Sequence, residues 1–177
     1  MATNKGFVIW LTGLPGSGKT TIARLLLEKL KKKGVEAAHL ESDEVRRILT
    51  PDPDYSRSER DWFYSVLLFL GKMLSDHGVN VLLDATANLR KYRDNVRAVV
   101  PRFVEVYVRC PLPVCAARDP KGIYAAARDE KATTVPGMQE PYEAPEHAEV
   151  EIDTDHVSAD QAAQYVVDYI EAVGWIP

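Results

Sequence analysis

The stretch Gly13-Leu-Pro-Gly-Ser-Gly18-Lys19-Thr20 matches the pattern G-x-x-x-x-G-K-[ST]. Before it lies the apolar run Phe7–Leu11 (FVIWL), and after it a helical pattern from about Lys19 to Lys33. A strand, a glycine-rich turn and a helix, in that order, form the context in which this pattern cradles phosphate. Glycines let the backbone curl until successive N–H groups face the phosphate oxygens. The helix N-terminus adds a partial positive charge. Lys19 is expected to reach the β- and γ-phosphates of a nucleoside triphosphate, and the Thr20 hydroxyl to ligate Mg²⁺. The candidate nucleotide-binding set is therefore Gly13, Leu14, Pro15, Gly16, Ser17, Gly18, Lys19, Thr20 and the adjoining Thr21.

Outward from this turn, apolar runs alternate with helical patterns. Phe7–Leu11 is continuous enough for a strand buried on both faces. Ile22, Ala23, Leu25, Leu26 and Leu30 form one face of the following helix, and Gly34 stands at its C-terminal cap. Val35–Leu40, Val79–Leu83, Phe103–Val108 and the short Glu149–Ile152 read as further strands. Trp62, Phe63, Val66, Leu67, Leu70, Met73 and Leu74 recur at helical spacing up to Gly78, and Arg90–Val100 is helical up to Pro101. Ser158 and Gln161 form a capping box before the stripe Ala162, Val166, Ile170 and Val173, which reads as core packing. The expected fold is α/β, a parallel sheet of about five strands flanked by helices, in one domain spanning residues 1–177. Between Asp119 and Pro145 apolar periodicity fades and Pro, Gly, Lys and Thr accumulate. A loop this long in a compact domain is usually functional, and residues 118–145 are expected to act as a mobile lid.

The chain has 177 residues, 46% of them hydrophobic and 27% charged, with a net charge of −4. Such a balance excludes bulk disorder and argues against a dedicated duplex-DNA binder, so no stable nucleic-acid partner is expected. No apolar segment reaches the roughly 18 residues of a membrane span. The uncharged stretch Gly6–Gly18 lacks a cleavage site of small residues, which removes its likeness to a signal peptide. Cys110 and Cys115, the two cysteines, cannot make a disulfide scaffold. They read as buried packing in a cytoplasmic protein. His39, His77, His147 and His156 show no metal-ligand spacing.

Two carboxylates follow strands. Asp43 stands just after the second strand, in Glu41-Ser-Asp43-Glu-Val-Arg46, and Asp84 ends the third. In open parallel sheets ligands bind at the carboxyl ends of the strands, so both point to one crevice. One could hold Mg²⁺ through water while the other orients or deprotonates an acceptor hydroxyl. Asp43 also fits a helix N-cap, and Asp84 a structural role. Arg46, Arg60, Arg90, Arg93, Arg97, Arg118 and Arg128 lie near these strand ends and the lid. Among them Arg46 and Arg118 sit beside motif residues, and arginine is the natural fork for phosphate or sulfate. The Asn-Lys-x-Asp base-reading motif of GTPases is absent, and large motor ATPases need more chain. A small phosphotransferase is expected, with a non-catalytic nucleotide-binding module as the bland alternative.

Three segments carry a family resemblance over nearly the whole chain. They are Trp10–Ala23 around the phosphate loop, Arg118-Asp-Pro-Lys121-Gly-Ile-Tyr124, and Pro141-Tyr-Glu-Ala-Pro145 followed by Glu149-Val-Glu-Ile-Asp153-Thr154. In these segments the chain resembles the adenylyl-sulfate kinases. The resemblance implies a P-loop kinase fold that uses ATP and Mg²⁺. It implies transfer of the γ-phosphate to the 3′-hydroxyl of adenosine 5′-phosphosulfate (APS), giving PAPS and ADP in sulfate assimilation, and a possible homodimer. Lys19 and Asp43 would be catalytic, and Thr20 and Asp43 would hold the metal. Arg118 would join the ATP site. Asp43, Arg46, Tyr55, Arg60, Arg90 and Lys121 would bind the acceptor.

The acceptor side departs from the family pattern. Of the family's acidic motif Asp-Gly-Asp-x-x-Arg after the second strand, the second Asp and the Arg are kept as Asp43 and Arg46, but Asp54-Tyr55-Ser56 replaces Gly-Phe-Ser, with Tyr55 still able to stack on adenine. Of the pattern Arg-x-x-Asn-x-Arg, Arg60 remains while Phe63 and Ser65 replace the Asn and second Arg. Ala85-Thr-Ala-Asn88-Leu-Arg90 stands for Phe-Ile-Ser-Pro-Tyr-Arg, and Val135-Pro-Gly137 for Phe-Thr-Gly. The ending Leu-Leu-Asp84-Ala-Thr-Ala-Asn88 resembles instead broader P-loop kinases of polynucleotide ends, small metabolites or seryl-tRNA. These substitutions favour, as the alternative, a different nucleotide, metabolite or nucleic-acid hydroxyl as acceptor.

Overall fold

The computed structural model describes residues 5–177. In chain order the elements are β1 (Val8–Thr12), α1 (Lys19–Lys32), β2 (Ala37–Glu41), α2 (Ser42–Leu49), α3 (Arg57–Asp76), β3 (Asn80–Asp84), α4 (Arg90–Val99), β4 (Phe103–Arg109), α5 (Leu112–Arg118), α6 (Ile123–Arg128), β5 (Val150–Asp153) and α7 (Ala159–Ala172). The five strands form a parallel sheet in the order β2-β3-β1-β4-β5.

Both faces of the sheet are covered, which is why β1 is buried at every position and apolar from Val8 to Leu11. The period of two sends Ile9 and Leu11 to one side, against Ile22, Leu26 and Leu30 of α1 and Val166 and Ile170 of α7. It sends Val8 and Trp10 to the other side, against Phe63 and Leu67 of α3 and Val96 of α4. Burying each large aliphatic chain stabilises the domain by roughly 1.5–3 kcal/mol before entropy is counted. The Ser158 hydroxyl accepts from the Gln161 N–H at 3.2 Å, so α7 begins at its capping box. Gly34 and Gly78 close their helices at φ values of 74° and 82°.

Residues 118–145 are not the unbroken loop expected. Helix α6 forms inside the segment, preceded by the short α5, and Cys110, Cys115, Tyr124, Ala127 and Val135 build a third buried cluster there. The runs between these residues are too short for periodicity to show, and the cluster also packs against Leu14 of the phosphate loop. The two cysteines are buried packing as expected, and burial pushes the Cys115 thiol up to about 12.

Arg93 is fully buried, with its Nε donating to Glu105 at 2.5 Å and its guanidinium to the carbonyls of Ala87 and Glu143. This one side chain ties α4 to β4, to the turn after β3 and to the strap at residues 141–145. Arg93→Ala is expected to lower unfolding stability by about 3 kcal/mol, because Glu105 would keep only its contact with Arg97. Urea denaturation measures this; a loss under about 1 kcal/mol would contradict the tie.

Candidate active site

The carboxyl ends of β1, β2 and β3 open into a cleft of about 850 Å³. The turn after β1 forms one wall, with Pro15 through Thr21 facing the cleft and Gly13 and Leu14 lying behind. Its glycines are required by geometry. A Cβ on Gly13 would come within 2.4 Å of the Val108 carbonyl oxygen, and Gly18 has φ +102°. Lys19 is 8% exposed, and its ammonium donates to the carbonyls of Gly13 at 3.0 Å and Leu14 at 2.8 Å. Burial pulls its pKa below the ordinary lysine value, with Asp84 the strongest opposing influence.

The opposite wall comes from α2 and the N-terminal end of α3. Glu59 accepts from the backbone N–H groups of Asp54 and Tyr55 and from Arg46, which holds Tyr55 at φ +54°. The Arg46 guanidinium lies 3.8 Å from the Phe63 ring centroid and 5.0 Å from that of Tyr55. Phe63 therefore supplies a buried platform under Arg46. Ser65 lies on the solvent side of α3, bonded to the Trp62 carbonyl, so its substitution leaves the cleft untouched.

Arg60 lines the cleft, but much of its fork is spent on protein groups. It donates to Tyr55 O at 2.9 Å, to Asn88 Oδ1 at 3.3 Å and to Thr134 O at 2.5 Å. Asn88, 1% exposed, in turn donates to Pro141 O at 3.1 Å. Arg90 is not among the residues lining the cleft. It pairs with Glu146, and its backbone N–H donates to Glu143. That places it on the strap rather than at the acceptor position expected of it, because α4 starts at Arg90 and turns the side chain away.

The lid segment forms the roof. Lys121 pairs across the cleft with Asp43, both about half exposed. Arg118 donates to Thr154 O at 2.9 Å, joining α5 to the end of β5, and Thr154 Oγ1 donates to Ser17 O at 3.0 Å. Tyr124, 1% exposed, donates its hydroxyl to Pro15 O at 2.8 Å. Tyr124, Thr154, Asn88 and Glu59 were not singled out from the sequence. Tyr124 and Thr154 lie inside segments quoted for the resemblance, and Asn88 inside the stretch after Asp84 that departs from it; Glu59 carries no local signal.

Asp84 is 2% exposed, and its Oδ2 has no hydrogen-bond partner among the described residues. Thr20, Asp43 and Asp84 thus offer an all-oxygen set on one cleft, the chemistry that suits Mg²⁺. The residues present fit that ion.

A parallel sheet ordered β2-β3-β1-β4-β5, a phosphate loop after its central strand and a basic lid across the same cleft define a P-loop kinase. The family model for adenylylsulphate kinase matches residues 5–153, and the chain belongs to that family. An adenylyl-sulfate kinase of Halothermothrix orenii is 38% identical over 176 residues, covering 99% of this chain and 95% of the relative. A probable adenylyl-sulfate kinase of Pyrococcus abyssi is 35% identical over 173 residues, covering 98% and 99%. The structure of the Mycobacterium tuberculosis APS kinase in complex with AMPPNP and APS superimposes with a TM-score of 0.89 at 36% identity, over 94% of this chain and 98% of that one.

Proposed function

We propose that this chain transfers the γ-phosphate of ATP to the 3′-hydroxyl of APS, giving PAPS and ADP. The supporting observation is the meeting of the phosphate loop, Asp43 with Arg46, and the Arg118–Tyr124 signature on one cleft in a member of this family. The loop N–H groups and Lys19 hold the β/γ-phosphates, so the reacting bond lies in line with the acceptor. Asp43 orients and deprotonates the acceptor hydroxyl. Arg46 holds the anionic part of the acceptor, and Tyr55 offers its ring to the base. Arg60 shapes this half by fixing Tyr55, Asn88 and Thr134 relative to one another. Thr20 and a strand-end carboxylate would hold Mg²⁺ with the nucleotide, and the ion would supply positive charge to the phosphates during transfer. Lys121 must leave Asp43 before that carboxylate can take a proton. Arg118 and Lys121 then face the nucleotides as the lid excludes water.

Transfer of labelled γ-phosphate from ATP to APS tests this reading. A CDP-type nucleotide, seryl-tRNA and a DNA 5′-hydroxyl end serve as competing acceptors. Rapid labelling of APS alone is expected; labelling of another acceptor in its place would overturn the assignment. We assign the protein to the cytoplasm, and no described helix is long and apolar enough to cross a membrane. We further propose a homodimer, on the family resemblance, to be checked by light scattering.

Tyr124→Phe is expected to weaken ATP binding about fivefold, the worth of one buried hydrogen bond near 1 kcal/mol. Adenosine, which does not use the phosphate loop, should bind unchanged. Calorimetry with both ligands decides, and equal losses for the two would point to general destabilisation.

A further inference from the structure

We infer that Asp84, rather than Asp43, is the carboxylate that anchors the metal of the bound nucleotide, leaving Asp43 to serve the acceptor alone. The inference rests on the ATP-kinase reading above.

Two carboxylates were available from the sequence, and their surroundings separate them. Asp84 ends β3, in register with Leu11 of β1 on one side and Glu41 of β2 on the other. The central strand it adjoins delivers the chain straight into the phosphate loop. Its side chain faces the cleft that Lys19 and Thr20 also line. It is almost wholly buried, and Oδ2 is left without a hydrogen bond among the described residues. A buried carboxylate oxygen with no partner is costly, so such a group is kept where a ligand completes it. The obvious internal partner does not do so: the Lys19 ammonium gives two of its three donors to the Gly13 and Leu14 carbonyls and none to Asp84. No ion pair among the described residues involves Asp84.

Asp43 is the opposite case. It is about half exposed, stands on the first turn of α2, and is already paired with Lys121 of the lid. It also lines the same cleft as Arg46 and Tyr55, the groups proposed above to hold the acceptor. A group that exchanges partners with a lid lysine suits a proton acceptor better than a permanent metal anchor. A fixed, buried carboxylate lining the same cleft as Thr20 suits the metal, gripping it directly or through a bound water.

ATP affinity is measured by calorimetry with Mg²⁺ and with EDTA, for the unaltered protein, Asp84→Asn and Asp43→Asn. The unaltered protein is expected to bind ATP more tightly with Mg²⁺. Asp84→Asn should lose about tenfold of affinity in Mg²⁺ and none in EDTA, the loss expected when a metal's carboxylate partner becomes neutral. Asp43→Asn should keep the Mg²⁺ effect. The melting temperature of Asp84→Asn should not fall, because the change removes an unpaired buried charge while keeping its shape. Asp84→Ser repeats the test with a smaller group should the amide disturb the fold. A retained Mg²⁺ effect in a folded Asp84 variant, or its loss in Asp43→Asn alone, overturns the inference while the kinase reading stands. Absence of any Mg²⁺ effect in the unaltered protein would overturn both.

Discussion

Lys19→Ala is expected to cut phosphoryl transfer by about a thousandfold or more, equivalent to about 4 kcal/mol of transition-state stabilisation. The side chain is buried at the base of the phosphate loop, with its ammonium held by the Gly13 and Leu14 carbonyls. It is therefore positioned before the nucleotide arrives, and little reorganisation is needed to carry charge to the γ-phosphate as it transfers. The loop's backbone donors remain in the variant, so ATP should still bind, though more weakly. No carboxylate hydrogen-bonds Lys19 among the described residues, so its removal breaks no ion pair; it removes only the attraction to Asp84, and the fold should persist. Single-turnover transfer, with circular dichroism as the fold control, makes the measurement. A folded variant with near-normal turnover would remove Lys19 from the mechanism.

For Asp43→Asn the expected pattern is a split. Turnover should fall about a thousandfold, within the range lost with a general base. ATP affinity should change less than about threefold, since a twofold or threefold change is under 1 kcal/mol. Asn keeps the shape and can still receive the lid's Lys121, but it cannot take the acceptor proton. The physical basis is the exposure of Asp43 toward the acceptor wall and its exchangeable pairing with Lys121. Comparing kcat with the dissociation constant for ATP decides between roles. Equal losses in both would make Asp43 a metal or structural residue.

How much of this was legible in the sequence differs between the two halves of the cleft. The donor half is local. Residues 13–20 carry their own instructions, because glycine conformations and a helix start act over a few residues, and the structure places Pro15–Thr21 on the cleft wall. The acceptor half depends on long-range partners. Arg60 finds Asn88 and Thr134, 28 and 74 residues away, and becomes an organiser of loops as much as a binding group. Ser65, one of the substitutions that suggested a changed acceptor, faces solvent. Phe63, another, became the platform beneath Arg46. Arg90 was taken off the cleft by the start of α4 and by Glu146.

By itself the sequence determined the α/β class, the five parallel strands, the phosphate loop and the family, because each is written in local periodicity or in contiguous motifs. Tertiary structure decided which charged groups are free to act. Arg93 and Arg60 are held by partners that packing brings to them. Asp84 is left with a buried oxygen and no partner, although its position at a strand end differs little in sequence from that of Asp43. The reason is electrostatic. A side chain's availability depends on its burial and on neighbours brought close by the fold, and neither quantity has a period in the chain.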